Sequence, residues 1–192
     1  VAGLLEESLN KDNRDAVLYP KIIYHYSSAG NDFLALKYTI KYLDIYLDFK
    51  HELFPILDDK VDVWERGLSI NNNQVTNYFE ATERLLDKVK RNYPIDDEIK
   101  KLEISFRHIK GRYLIREGEY DKGIIYINDM INKSLEIKSY FHALKGYKQK
   151  IYYCIQVHDI FLMKEYIDKA LKIAYSENLQ EDIAILLRLK GL

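Results

Sequence analysis

The chain has 192 residues, 47% of them apolar and 31% charged, with 29 Lys and Arg against 30 Asp and Glu. Such a composition can bury a globular core, offers no apolar run long enough to span a bilayer, and lacks the basic excess of a dedicated nucleic-acid binder. One cysteine, three prolines and eight glycines exclude an intrachain disulfide framework and a Cys-based zinc cluster, and favour long helices over many short strands.

At the start, Ala2, Leu5 and Leu9 recur at helical spacing, and Glu6 and Glu7 interrupt any signal-peptide pattern. This reads as the tail of a helix. A polar gap covers residues 10–15. Ser28-Ala29-Gly30-Asn31-Asp32 then pairs a C-cap glycine with Asn and Asp suited to cap the next helix. Over residues 34–47 apolar side chains fall at i, i+3, i+4 and i+7. Leu53, Leu57, Val61, Trp64 and Leu68 form a further stripe, with Trp64 assigned to a helix-pair core and Pro55 interrupting the pattern. Ile70-Asn71-Asn72-Asn73 reads as a turn. Ile104, Ile109, Tyr113 and Ile115 precede the tight turn Glu117-Gly118-Glu119-Tyr120. Ile151, Cys154 and Ile155 lead to Asp159, a capping residue, and to Ile160, Met163, Ile167, Ala170, Leu171 and Ala174.

Turn centres near 30, 70, 118 and 158 recur at roughly 40 residues, the signature of an α-solenoid. The expectation is an all-α chain, an α-α superhelix of antiparallel helix pairs in a single domain over 1–192. The pairs are placed at 14–50, 52–90, 96–135 and 139–175, with a fifth beginning at 178–192. The final residues, 183–192, stop within an apolar helical pattern, which reads as a fragment of a larger protein. Lys110-Gly111 and Lys190-Gly191 stand 80 residues apart and place Gly191 inside the first helix of the fifth pair. The apolar face of the unfinished pair is expected to pack on another copy of the chain, a lattice neighbour or the partner in a homodimer.

The segment Gly111-Arg112-Tyr113-Leu114-Ile115-Arg116-Glu117-Gly118-Glu119-Tyr120-Asp121-Lys122-Gly123 has a small residue in its first helix, a Gly-x-Tyr turn, and a small residue three positions after the tyrosine. It resembles the tetratricopeptide repeat. Residues 24–36, with Ala35 as the small position, resemble a second copy, and Lys169-Ala170-Leu171 the end of a third. The first fifty residues run from Leu4-Leu5-Glu6-Glu7 through Tyr24-His25-Tyr26-Ser27-Ser28-Ala29-Gly30-Asn31-Asp32 to Ala35-Leu36-Lys37-Tyr38. That order is similar to the junction in large bacterial signal-transduction ATPases where a nucleotide switch gives way to helical repeats. LuxR-type regulators of the maltose-activator kind and multidomain adenylate or diguanylate cyclases have it. The resemblance implies a cytoplasmic sensor or scaffold arm of a signalling or transcription regulator. The phosphate loop of such an ATPase does not occur in these residues.

Reactive constellations fail one by one. His51-Glu52 opens a zinc-protease helix pattern, but position 55 is Pro, and no two histidines stand at i, i+4. Cys154 lies on an apolar face, where a thiol acts as a small hydrophobe. Ser27-Ser28 lacks a nucleophile elbow. Asp58-Asp59 and Asp96-Asp97-Glu98 sit at helix starts, where acids complement the macrodipole. The nine basic residues between Arg84 and Arg112 are diluted by five acids and read as a solvated surface. No catalytic residue, metal or cofactor is expected, and the chain reads as a non-enzyme.

Projecting the repeat puts Tyr24, Ser27 and Ser28 on the inner face of the first pair, His108, Arg112 and Arg116 on the third, and Lys148, Tyr152 and Gln156 on the fourth. This polar, aromatic and basic mixture suits a carboxylate-bearing or acidic ligand; the competing reading is an ordinary wet surface. The expected function is non-catalytic interaction or sensing within a larger bacterial regulator. The alternative is the peptide-binding domain of a quorum-sensing transcription regulator. Expected partners are a protein or peptide segment or a small effector, and other domains of the parent, with no direct nucleic-acid contact and no membrane.

Overall fold

A computed structural model describes residues 1–10, 13–47, 72–93 and 96–191, and among these there is helix and turn but no strand. They form two compact units, Val1–Ile99 and Lys100–Leu192, although no Pro-, Gly- or Ser-rich linker separates them. The stripe from Leu53 to Leu68, including Trp64 and Pro55, lies outside the described residues, as does the acidic pair Asp58-Asp59.

The first unit holds α1 (Ala2–Glu7), a 3-10 turn (Asn13–Val17), α2 (Tyr19–Ser28), α3 (Asp32–Tyr46) and α4 (Asn72–Asn92). The helix α4 begins within the Asn-rich stretch read as a turn. Between α2 and α3, Gly30 takes φ 71°, a conformation that costs a residue with a Cβ. The Gly30 N–H donates to the Ser27 carbonyl at 3.1 Å and the Asn31 N–H to that of Tyr26 at 2.9 Å. The Asn31 side chain in turn accepts from the Leu34 N–H at 3.1 Å, so one chain reversal satisfies both helix ends. Ile22, Ala35, Leu36 and Leu43 form the seam between these helices. Tyrosines line it: Tyr38 packs on Tyr19 at 5.5 Å and stacks on Tyr26 at 6.1 Å. The Glu6 carboxylate of α1 accepts from both Tyr26 and Tyr38. Burial first, then that carboxylate, raises both phenols above their ordinary range.

The second unit holds α5 (Asp97–Arg116, all but its first turn), α6 (Tyr120–Glu136), α7 (Tyr140–Gln156), α8 (Ile160–Ser176) and α9 (Gln180–Lys190). Asp96 accepts from the Glu98 N–H at 2.6 Å, so the acids at 96–98 open α5 as capping groups. Each of α6, α7 and α8 has 17 residues. Three-residue turns join consecutive helices, and the middle residue of each has positive φ: Gly118 (82°), Lys138 (54°), His158 (58°) and Asn178 (54°). These positions are 20 residues apart. Every one closes with the same two bonds, in which residue n donates to the carbonyl of n−3 and residue n+1 to that of n−4 relative to n. This is the Schellman arrangement. Twenty residues per helix and turn make 40 per hairpin, which is the physical origin of the period. Gly191 caps the end of α9 rather than standing inside it.

Lys138 adopts a left-handed conformation that costs a non-glycine residue about 1–2 kcal/mol, whereas glycine gives up part of that gain to its freer unfolded chain. Lys138→Gly is therefore expected to stabilise the protein by about 0.5 kcal/mol and Gly118→Ala to destabilise it by about 1 kcal/mol. Urea unfolding midpoints at unchanged slope check both.

Two seams of close contact run through this unit. Gly111 of α5 faces Gly123 and Ile127 of α6, so that the small residues of the turn motif let the backbones approach. Gly146 of α7 faces Ile131 and Met130 of α6. Ile127, Met130, Leu144, Ile151, Ile167 and Leu186 are fully buried around them. Lys150 ties three helices: its ammonium donates to Asn128 of α6 at 2.7 Å and lies 3.8 Å from the ring centroid of Tyr166 on α8. Burial, aided by Lys169, lowers its pKa to about 8.

Candidate docking surface

Because 40 residues make one hairpin, positions 40 apart occupy equivalent places. His108, Lys148 and Arg188 are one such series on α5, α7 and α9; Arg112 with Tyr152, and His142 with Asp182, are others. The structure brings several of these side chains into one electrostatic cluster. His108 is only 3% exposed, and its Nδ1 has no hydrogen-bond partner. Burial is the main force holding its pKa well below the ordinary imidazole value. Lys145, Arg112, His142 and Lys148 act in the same direction, in that order.

The neighbours of His108 are themselves held. The Lys148 ammonium donates to Asp182 of α9 at 2.8 Å. The His142 ring meets the Ser139 hydroxyl at 2.7 Å through Nδ1 and the Ser105 hydroxyl of α5 at 3.4 Å through Nε2. Tyr152 is half-buried, and desolvation raises its phenol while Arg188 of α9 pulls the other way. Arg116 is bound to Glu117 at 2.7 Å and lies over the Tyr113 ring at 5.2 Å, fixed by its own turn of helix. Gln156 is exposed at the end of α7.

Tyr24, Ser27 and Ser28 belong to the first unit. All three are exposed on the last turns of α2, with the Tyr24 ring edge-on to His25 at 5.4 Å. Of the nine residues projected from the sequence, then, His108, Arg112 and Lys148 share one cluster. His108 is its buried floor rather than a surface group. Lys145 and His142 belong to the same cluster without having been projected; the 40-residue offset from Ser105 to Lys145 is the signal that points to the first of them.

The near-neutral total charge conceals a split. Residues 100–192 carry 17 Lys and Arg against 12 Asp and Glu, while residues 1–99 carry 12 against 18. An excess of positive charge in one unit raises the local concentration of anions near it.

Cys154 is buried, and desolvation first, then Asp159, pushes its thiol up to about 11, far from a reactive thiolate. Among the described residues no three His, Cys, Asp or Glu side chains converge as a metal site. Nor is any described helix long and apolar enough to cross a membrane. Compared with family models, curated proteins and solved structures, the chain matches none of them.

Proposed function

We propose that this chain is a non-catalytic interaction or sensor segment, a tetratricopeptide-like stretch of a larger cytoplasmic signalling or transcription regulator. In this reading the face built from α5, α7 and α9 receives a protein segment or effector that carries negative charge. The single observation behind it is that α5, α7 and α9 meet through polar side chains, Ser105 with His142 and Lys148 with Asp182, on a face where Arg112, Lys145, Lys148 and Arg188 add positive charge. Consecutive hairpins present equivalent side chains at a fixed interval, which suits an extended ligand read at several points. The closed Schellman turns and the buried thiol support a rigid scaffold rather than a reaction centre.

The test is a panel of acidic and uncharged peptides titrated against the full chain by fluorescence anisotropy. Acidic members are expected to bind, and Arg112→Ala with Tyr152→Ala to weaken them at least tenfold while leaving the melting temperature within a few degrees. Binding that ignores both the peptide charge and the double substitution would end this reading.

A further inference from the structure

We infer that α9 joins two copies of this chain, paired antiparallel about a twofold axis that passes between Ala184 and Leu187. The 40-residue period supplies the comparison. Leu144 and Ile151 of α7 are fully buried, with α8 and α9 following in the chain. Their counterparts on α9, Ala184 and Gly191, are exposed, and Leu187, the counterpart of Tyr147, is 48% exposed. Gln180, Ala184, Leu187 and Gly191 fall at i, i+4, i+7 and i+11, a single stripe along the helix. Ile183, Leu186 and Leu189, on another side of α9, are buried in the core of its own unit.

Charge and size say what covers the exposed stripe. The acids of α9, Glu181 and Asp182, lie in its first turn, and its bases, Arg188 and Lys190, in its last. Asp182 accepts from Lys148 at 2.8 Å and Lys190 donates to Asp168 at 2.7 Å, both within the unit. Glu181 and Arg188 each follow a residue of the stripe, Gln180 and Leu187, and so border it on the same flank. Two antiparallel copies bring like flanks together, so the exposed Glu181 of each comes within reach of Arg188 of the other, twice by symmetry. A parallel pair would set acid against acid and base against base. In the antiparallel register the small Ala184 of one copy also faces the larger Leu187 of the other, and the two helix dipoles oppose. A surface complementary to itself in both respects fits a second copy better than an unrelated helix. The 11 residues of α9 span about 16 Å, which puts the contact at the small end of interfaces and its dissociation constant on the order of 100 µM.

This inference is independent of the acidic-ligand reading and survives its failure. Sedimentation equilibrium of the full chain tests it. A monomer at micromolar concentration is expected to become largely dimer near 1 mM. Leu187→Glu should abolish the dimer with the circular dichroism spectrum unchanged; if that variant loses helix, Ala184→Glu takes its place. Glu181→Arg and Arg188→Glu should each weaken association at least fivefold, and the two together should restore it to within about threefold, since the reversed pair is again complementary. Phe161→Ser, at the most exposed apolar side chain of the unit, should change nothing. A chain that stays monomeric at 1 mM would overturn the inference and leave the stripe to a helix of another protein. A dimer lost with Phe161 but kept in Leu187→Glu would move the contact to α8 and overturn it too. So would a double reversal no better than its two components, because the pairing of Glu181 with Arg188 is what selects a second copy.

Discussion

Gly123→Ala is expected to destabilise the unit at residues 100–192 by about 2 kcal/mol, more than alanine at any other described helical glycine. A Cβ at this position would lie 2.6 Å from Ile115 Cγ1, 2.8 Å from the Gly111 carbonyl oxygen and 2.9 Å from the Ile115 nitrogen. Two of those three atoms are backbone, and the third is the methylene carbon next to the Cβ branch of a side chain that is itself buried, so the helices must separate to admit the methyl. Overpacking of that kind costs about 1–3 kcal/mol and occasionally more. The better helix propensity of alanine returns about 1 kcal/mol, which places the net loss at the upper part of what remains. Gly146→Ala supplies the contrast. The atoms a Cβ would meet there, Ile131 Cγ1 at 2.6 Å, Ile131 Cδ1 at 3.2 Å and Met130 Sδ at 3.3 Å, all belong to side chains, which can shift. That substitution should cost about 1 kcal/mol or less. Urea unfolding followed by circular dichroism ranks the two, and equal stability of Gly123→Ala and the unaltered protein would show that α5 and α6 do not need the close approach.

The same glycines mark how far the sequence could be read. Small residues at 111 and 123 around a Gly-x-Tyr turn announce a close helix pair, because backbone contact requires them whatever surrounds them. The reversals at 30, 118 and 158 were equally legible, two from their glycines and one from the Asp159 cap, which accepts from the Leu162 N–H at 2.9 Å. Those at 138 and 178 were visible only as gaps between pairs, since Lys138 and Asn178 enter the left-handed region with no glycine to announce it. Site residues were harder. Helical projection assigns a residue to a face but says nothing of depth, so His108 was placed on a surface although it is packed beneath one. Lys145 and His142 escaped because each sits beside the projected stripe, and only electrostatic proximity across α5 and α7 joins them to it.

Acidification is expected to act on the same buried ring. Burial, with Lys145 and Arg112 next in effect, holds the folded pKa of His108 well below that of the unfolded chain, which is near 6.5. Above pH 6.5 neither state binds the proton and the residue contributes no pH dependence. As the pH falls below 6.5 the unfolded chain takes up the proton first, so stability declines at up to about 1.4 kcal/mol per pH unit until the folded pKa is reached. The loss should be measurable between pH 6.5 and pH 5, before most carboxylates titrate. His108→Gln is expected to flatten this part of the profile whatever it does to absolute stability, so slopes rather than midpoints carry the comparison; parallel slopes would show that His108 is not the group responsible.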